Sequence, residues 1–266
     1  MAEILDYALT DGVGNYGGSL SRGSLALLLS GQTTAQACDF GLGIELLHHA
    51  TLCVDDLVDL GVSRREKLAV WRRFSRESAV LLSHYLTNRS QGLFAANLSS
   101  ENNAQASTLV EKMVSAELQI RTQLPKNLID YSHLVSHKTG ALYAIAGLGI
   151  TLNPAVSFDP LILTAFEDIG SARQIRDDLA DAAIVTHQLF LDPAAHQRDM
   201  ERAFGLGCKL LALKNDLVVL QHELAESALR AISAALVNHP EHEPILGLLR
   251  MVAYGTASVA RADLVA

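Results

Sequence analysis

Gly43-Ile44-Glu45-Leu46-Leu47-His48-His49-Ala50-Thr51-Leu52-Cys53-Val54-Asp55-Asp56-Leu57-Val58-Asp59 decides the fold of this 266-residue chain. Gly43 to Val54 is apolar almost all round, which marks a central helix of a bundle. The stretch then ends on three aspartates, and their spacing recurs in Asp177-Asp178-Leu179-Ala180-Asp181. In a helix, residues i and i+4 share a face, so Asp55 with Asp59, and Asp177 with Asp181, form carboxylate pairs about 6 Å apart. Such pairs repel unless a cation sits between them. Solvated acidic faces have the same spacing, but both clusters sit in apolar sequence where unpaired carboxylates are costly to bury.

Working outward, the segment Ala141 to Leu152 is a second stretch apolar almost all round, and so a second central helix. All six prolines (Pro125, Pro154, Pro160, Pro193, Pro240 and Pro244) fall between helix-period segments. The pattern predicts helices at roughly 19–31, 34–60, 65–88, 104–123, 129–152, 159–187, 198–237 and 244–262. Period-2 alternation and hairpin turn signals are lacking, so strands have little support. The expectation is an all-α bundle of long helices around a central cavity, spanning 1–266 as one domain.

Composition narrows the function. Hydrophobic residues make up 49% and mean hydropathy is +0.21, ample for a sizeable core. A net charge of -8 without a basic stripe argues against nucleic acid as partner. Cys38, Cys53 and Cys208 are odd in number and widely spaced, which points to neither a disulfide framework nor a zinc site. The start, Met1-Ala2-Glu3-Ile4, has no basic segment followed by an apolar one, and no uncharged apolar run reaches the ~18 residues of a membrane span. The expectation is a cytoplasmic protein without a membrane span.

If the central helices bring the two motifs face to face, six carboxylates line a cavity with apolar walls: a place for a charged head and an oily tail. Hard oxygen donors suit Mg²⁺, which keeps some waters and is completed by substrate phosphates. The chemistry that follows is metal-assisted departure of diphosphate from an allylic carbon, leaving a carbocation for a nucleophile.

From about residue 17 to about residue 181 the chain resembles the trans-isoprenyl diphosphate synthase (polyprenyl synthetase) family. Glu45-Leu46-Leu47-His48 precedes the first motif, and Arg64-Arg65 follows Asp59 after four residues. Gln119, Lys138-Thr139 and Gln174-Ile175-Arg176-Asp177-Asp178 then come in the family's order. The resemblance implies the isoprenoid synthase fold, about three magnesium ions and a homodimer. Asp55, Asp59 and Asp177 would ligate metal directly, supported by Asp56, Asp178 and Asp181. Arg64, Lys138 and Gln174 would hold the allylic diphosphate, with Arg65, Thr139 and Gln119 beside them. His48 and Arg22 match residues that meet the diphosphate of the acceptor, isopentenyl diphosphate. In the family, bulky aromatics four and five residues before the first motif stop chain growth; Thr51 and Ala50 are small here, which implies a tail of C15 or longer, with Leu47 a later floor.

The departures fall mainly on the acceptor side. Where the family usually carries Gly-Gly-Lys-Arg-x-Arg-Pro, this chain has Gly17-Gly18-Ser19-Leu20-Ser21-Arg22-Gly23, so only Arg22 survives among the basic positions. Arg173 stands where the family has a phenylalanine, and the family's lysine-bearing loop after the second motif is replaced by residues 182–200, which contain no lysine. Two lost charge-assisted contacts, each worth about 1.5–3 kcal/mol, point to a changed acceptor. Gln119-Ile120-Arg121-Thr122 and the Asp-Asp-Leu opening of both motifs are also similar to the prenyltransferases of moenomycin biosynthesis, which use a phosphoglycerate-type acceptor. A class I terpene cyclase also fits the acceptor-side losses, but the aromatic content of 5% is low for a cyclase pocket. A noncatalytic partner of a synthase would have no need of six metal-side carboxylates.

Overall fold

A computed structural model describes residues 1–10, 20–64, 67–188, 206–207 and 209–255, with the backbone alone at 121 and 183–188. The chain begins with α1 (Ala2–Leu9), α2 (Ser21–Ser30) and α3 (Ala35–Val58). A two-residue ribbon follows, β1 (Ser63–Arg64) antiparallel to β2 (Lys67–Leu68). Then come α4 (Val70–Arg73), α5 (Arg76–Asn97), α6 (Ser100–Thr122) and α7 (Leu128–Val135). A π-helical turn (Ser136–Gly140), α8 (Ala141–Gly147), a 3-10 turn (Leu148–Leu152), α9 (Ile162–Gln188), α10 (Lys214–Ala235) and α11 (His242–Tyr254) complete it.

Four of the helix starts are set by side-chain caps. Thr34, Ser75, Ser99 and Asn127 accept the backbone N–H of Ala37, Ser78, Asn102 and Asp130 at 3.2, 3.0, 3.2 and 2.9 Å, each satisfying a donor the first turn leaves open. The cap at Ser75 explains one departure from the sequence expectation. In place of a single helix over 65–88, the described residues of 63–74 form the ribbon and the short α4, and Ser75 starts a fresh helix. The expected helix over 129–152 likewise breaks into α7, the π-helical turn, α8 and the 3-10 turn. Helix α1 was not foreseen. It docks on the ribbon through the Tyr7 hydroxyl, which donates to Leu68 O at 2.7 Å, and through Lys67 Nζ, which donates to the carbonyls of Tyr7 and Thr10.

The two apolar stretches are the centre of the bundle. All seven residues of α8 are buried. Helix α3 buries Phe40, Ile44 and Leu47 with α8, α2, α9, α10 and α11, and buries Leu46, Ala50 and Cys53 against α4 and α5. Each fully buried large side chain contributes about 1.5–3 kcal/mol. A third cluster, around Tyr131, Val135, Ile175 and Leu217, ties α7 and α10 to α9. Among the described residues no helix is long and apolar enough to cross a membrane.

One close approach sets the site. A Cβ on Gly140 would stand 2.6 Å from the Glu167 carbonyl oxygen, and one on Gly170 would stand 2.8 Å from Gly140 Cα. Only paired glycines allow that backbone contact, and it presses the π-helical turn, with Lys138 and Thr139, onto the face of α9 that leads into the second aspartate motif.

Candidate active site

The first motif ends α3. Asp59 is its C-cap, its N–H bonding back to Asp55 O. Leu60 follows with φ of 55°, a left-handed conformation that costs a leucine about 1–2 kcal/mol. It turns the chain so that Gly61 N–H reaches Asp56 O at 2.8 Å, the closing bond of a Schellman-type cap. The Asp55 side chain is 22% exposed, and Lys138 Nζ stands 3.9 Å from its Oδ1. Burial, above all, raises its pKa to about 6; Lys138 opposes the shift, while Glu117 and Asp59 add to it. Asp56, one position on and so turned away, is buried against Arg64, whose Nε and Nη2 donate to its carboxylate at 2.9 and 2.7 Å.

The second motif lies within α9. Asp177 is held by Arg176 Nη2 at 2.7 Å and approached by Arg173 Nε at 3.4 Å. Asp178 accepts the Tyr131 hydroxyl at 2.7 Å and Gln174 Nε2 at 2.6 Å. Burial raises its pKa to about 6 against the pull of those two donors and of Lys138. Asp181 is exposed, and burial followed by the repulsion of Asp177 raises its pKa too, with Arg64 opposing. Gln174 in turn accepts the Thr139 hydroxyl.

Lys138 joins the halves. Its ammonium pairs with Glu117 Oε2 at 2.7 Å and also feels Asp55 and Asp178. Arg64, pairing with the first motif, lies in electrostatic range of Asp181 in the second. The structure therefore brings together Asp55, Asp56, Asp59, Arg64, Lys138, Thr139, Gln174, Asp177, Asp178 and Asp181.

Other expected site residues lie elsewhere. Gln119 is exposed and lines a cavity of ≈ 270 Å³ with Gln123, Lys126 and Asp130. Two residues from Glu117 is about 200° around a helix, so Glu117, which sequence reasoning passed over, is the α6 side chain that meets Lys138. His48 is half-buried, its ring 5.9 Å from that of His49. Leu47 and Ala50 are buried in two different core clusters, and the Thr51 hydroxyl donates to His48 O at 2.8 Å. Arg22 is buried, its guanidinium 4.9 Å over the Tyr143 ring. Arg65, Gly17, Gly18, Ser19, Cys208, the stretch 189–200 and the side chain of Arg121 lie outside the described residues. Tyr131, Tyr143 and Glu117 carried no motif signal; only contacts between distant segments reveal them.

The donor set suits a hard cation that shares its shell with other oxygens. Among the described residues no three Asp, Glu, His or Cys side chains converge on one point. The carboxylates come instead as like-charged pairs, one per motif, as Mg²⁺ prefers when waters and phosphates complete its octahedron.

An all-helical bundle with two aspartate motifs joined across one lysine defines an isoprenoid synthase fold. The sequence model of polyprenyl synthetase matches residues 2–189, and the chain belongs to that family. Over 185 residues it is 24% identical to hexaprenyl pyrophosphate synthase of Saccharolobus solfataricus, a match covering 68% of this chain and 62% of that protein. It is similar in structure to heptaprenyl diphosphate synthase of Staphylococcus aureus, with TM-score 0.72 and 20% identity over 90% of this chain and 88% of the other. It is also similar to a polyprenyl synthase of Caulobacter crescentus complexed with calcium and isoprenyl diphosphate, with TM-score 0.70 and 20% identity over 90% and 85%.

Proposed function

We propose that this chain is a magnesium-dependent prenyltransferase that ionises an allylic prenyl diphosphate and passes the prenyl group to an acceptor. The observation that carries the reading is Lys138, a cation between the two motifs, 3.9 Å from Asp55 and within electrostatic range of Asp178. Asp55, Asp59 and Asp177 hold the metal, supported by Asp56, Asp178 and Asp181, with about three ions in the full site. Bound there, magnesium supplies the positive charge that stabilises the departing diphosphate. Lys138 and Arg64 exchange Glu117 and Asp56 for diphosphate oxygens, gaining charge-assisted bonds. Thr139 and Gln174, bonded to each other, orient that head. The Caulobacter relative, crystallised with a divalent cation and an isoprenyl diphosphate, supports the same pairing of ligands.

The acceptor is isopentenyl diphosphate or a different nucleophile, and the loss of basic residues before Arg22 favours the second. Arg65, Gln119 and His48 are further substrate contacts in this reading, and Leu47, Ala50 and Thr51 limit the tail. The working unit is a homodimer of single-domain chains. The test incubates purified protein and Mg²⁺ with C10, C15 and C20 allylic diphosphates, with and without isopentenyl diphosphate, and weighs the products. Extension identifies a synthase; turnover only with another nucleophile identifies an altered acceptor; a hydrocarbon without any acceptor identifies a cyclase and refutes transfer. Silence with every donor, unchanged by Asp55→Ala or Asp177→Ala, sinks the catalytic reading.

A further inference from the structure

His133 and His137 stand four residues apart where α7 runs into the π-helical turn, and Leu134 and Val135 between them are buried. Residues four apart share a helix face, so burying the pair between them leaves both imidazoles on the outside. His133 is exposed and His137 half-buried, and their ring centres are 6.2 Å apart. The rings of His49, His84, His239 and His242 are each bonded to a backbone or side-chain group. Among the described residues no such bond reaches the rings of His133 and His137.

Two neutral imidazoles at this spacing can chelate a divalent transition metal. With metal to nitrogen distances of 2.0–2.1 Å, two rings on one tetrahedral ion have centres about 5 Å apart. The pair must therefore close by about 1 Å, within the reach of side-chain torsions. Burial, first, and then Lys112 lower the pKa of His137 against the pull of Glu167, which keeps that ring in the neutral, metal-binding form at pH 7. Lys112 carries a charge that repels a cation, but Glu167 offsets it, accepting Lys112 Nζ at 3.5 Å and the Ser136 hydroxyl at 3.4 Å. Glu167 does not converge with the two rings, so water completes the shell.

We propose that His133 and His137 form a two-imidazole site for Zn²⁺ or Cu²⁺, separate from the aspartate motifs, which ties α7 to the turn that presents Lys138 and Thr139. Successive residues point about 100° apart around a helix, so His137 is turned away from the carboxylates that Lys138 meets. Imidazole selects zinc and copper where the carboxylates of the motifs suit magnesium. An ion held only by the folded chain stabilises it. The inference stands apart from the prenyltransferase reading, and neither falls with the other.

The probe is Cu²⁺, the strongest binder of the divalent series, added at one equivalent to metal-free protein. Pulsed electron paramagnetic resonance counts the imidazoles on the ion. The wild type should show two. His133→Ala and His137→Ala should each show one and bind Cu²⁺ at least about tenfold more weakly, the cost of losing even an outer partner of a metal ligand. Cu²⁺ should raise the thermal midpoint of the wild type and leave those of both variants unchanged. His137→Asn serves in place of the alanine variant if circular dichroism finds that one unfolded. Excess Mg²⁺, or Asp55→Asn combined with Asp177→Asn, should leave the two-imidazole signal in place. One imidazole or none in the wild type, two in both histidine variants, or loss of the signal in the aspartate variant each overturns the site.

Discussion

Replacing Asp55 by asparagine should stabilise the metal-free protein while removing a metal ligand. Asp55 ionises at about 6, against 3.8 for the unperturbed group, a rise of about 2 units or about 3 kcal/mol. Because the folded-state value is the higher one, the folded chain holds a proton that the unfolded chain has lost between those two values. Stability from this group is thus greatest at low pH, declines as pH rises from about 4 to about 6, and is lost entirely above that. Asparagine mimics the protonated carboxyl, so Asp55→Asn should gain about 3 kcal/mol at pH 7.5 and about half as much at pH 5. The neighbours limit complications, since Lys138 keeps Glu117 at 2.7 Å when Asp55 loses its charge. Urea unfolding with a chelator present measures both pH values, and the midpoint should move up by about 1 M at pH 7.5. A variant no more stable than wild type at pH 7.5, or a gain as large at pH 5, would refute the argument that burial sets the charge on this residue.

Tyr131→Phe removes the hydroxyl that donates to Asp178 at 2.7 Å. It should cost about 1–3 kcal/mol above pH 6, where Asp178 is ionised, and little near pH 4; the same unfolding series checks it. Leu60→Gly should stabilise by about 1 kcal/mol, because glycine holds a φ of 55° without strain, and a thermal melt should rise by a few degrees. Gly140→Ala must push the π-helical turn off α9, where a Cβ meets Glu167 O at 2.6 Å. A loss of about 1–3 kcal/mol should accompany loss of prenyl transfer, and unchanged turnover would mean that this contact does not position Lys138 and Thr139.

How much could be read in advance depended on the range of the interaction. The apolar runs at Gly43 to Val54 and Ala141 to Leu152 foretold the two central helices, because burial on every side leaves a local mark. The aspartate spacing foretold which carboxylates share a face. What escaped was decided across long separations. Glu117 meets Lys138 only because α6 crosses the π-helical turn, and Tyr131 finds Asp178 across 47 residues. Helix α1 gave no cue because its partners, Leu68 and Lys67, lie some sixty residues on. The break before Ser75 has a local mark in the N-cap serine, but the helical period on both sides of it hides that mark.

The charges of the site are paired among themselves. Arg64 holds Asp56, Lys138 holds Glu117, and Arg176 with Arg173 holds Asp177. In the proposed reaction Arg64 and Lys138 are also ligands for phosphate oxygens, and each partner carboxylate is a metal ligand or lies beside one. Substrate and metal therefore do not fill an open site; they exchange partners with a network already satisfied, which limits the net gain from either component alone. On that proposal Asp177 would have to leave two arginines to hold a metal without diphosphate, and a diphosphate without metal would face the remaining carboxylates. Only the two together replace every broken pair. The departures of this chain from its family bear on the same balance: Arg173 adds a cation beside the second motif while the basic residues before Arg22 are gone. On the proposed function, the positive charge offered to an incoming acceptor lies nearer α9 than the start of α2, and a test of acceptor binding should begin at Arg173.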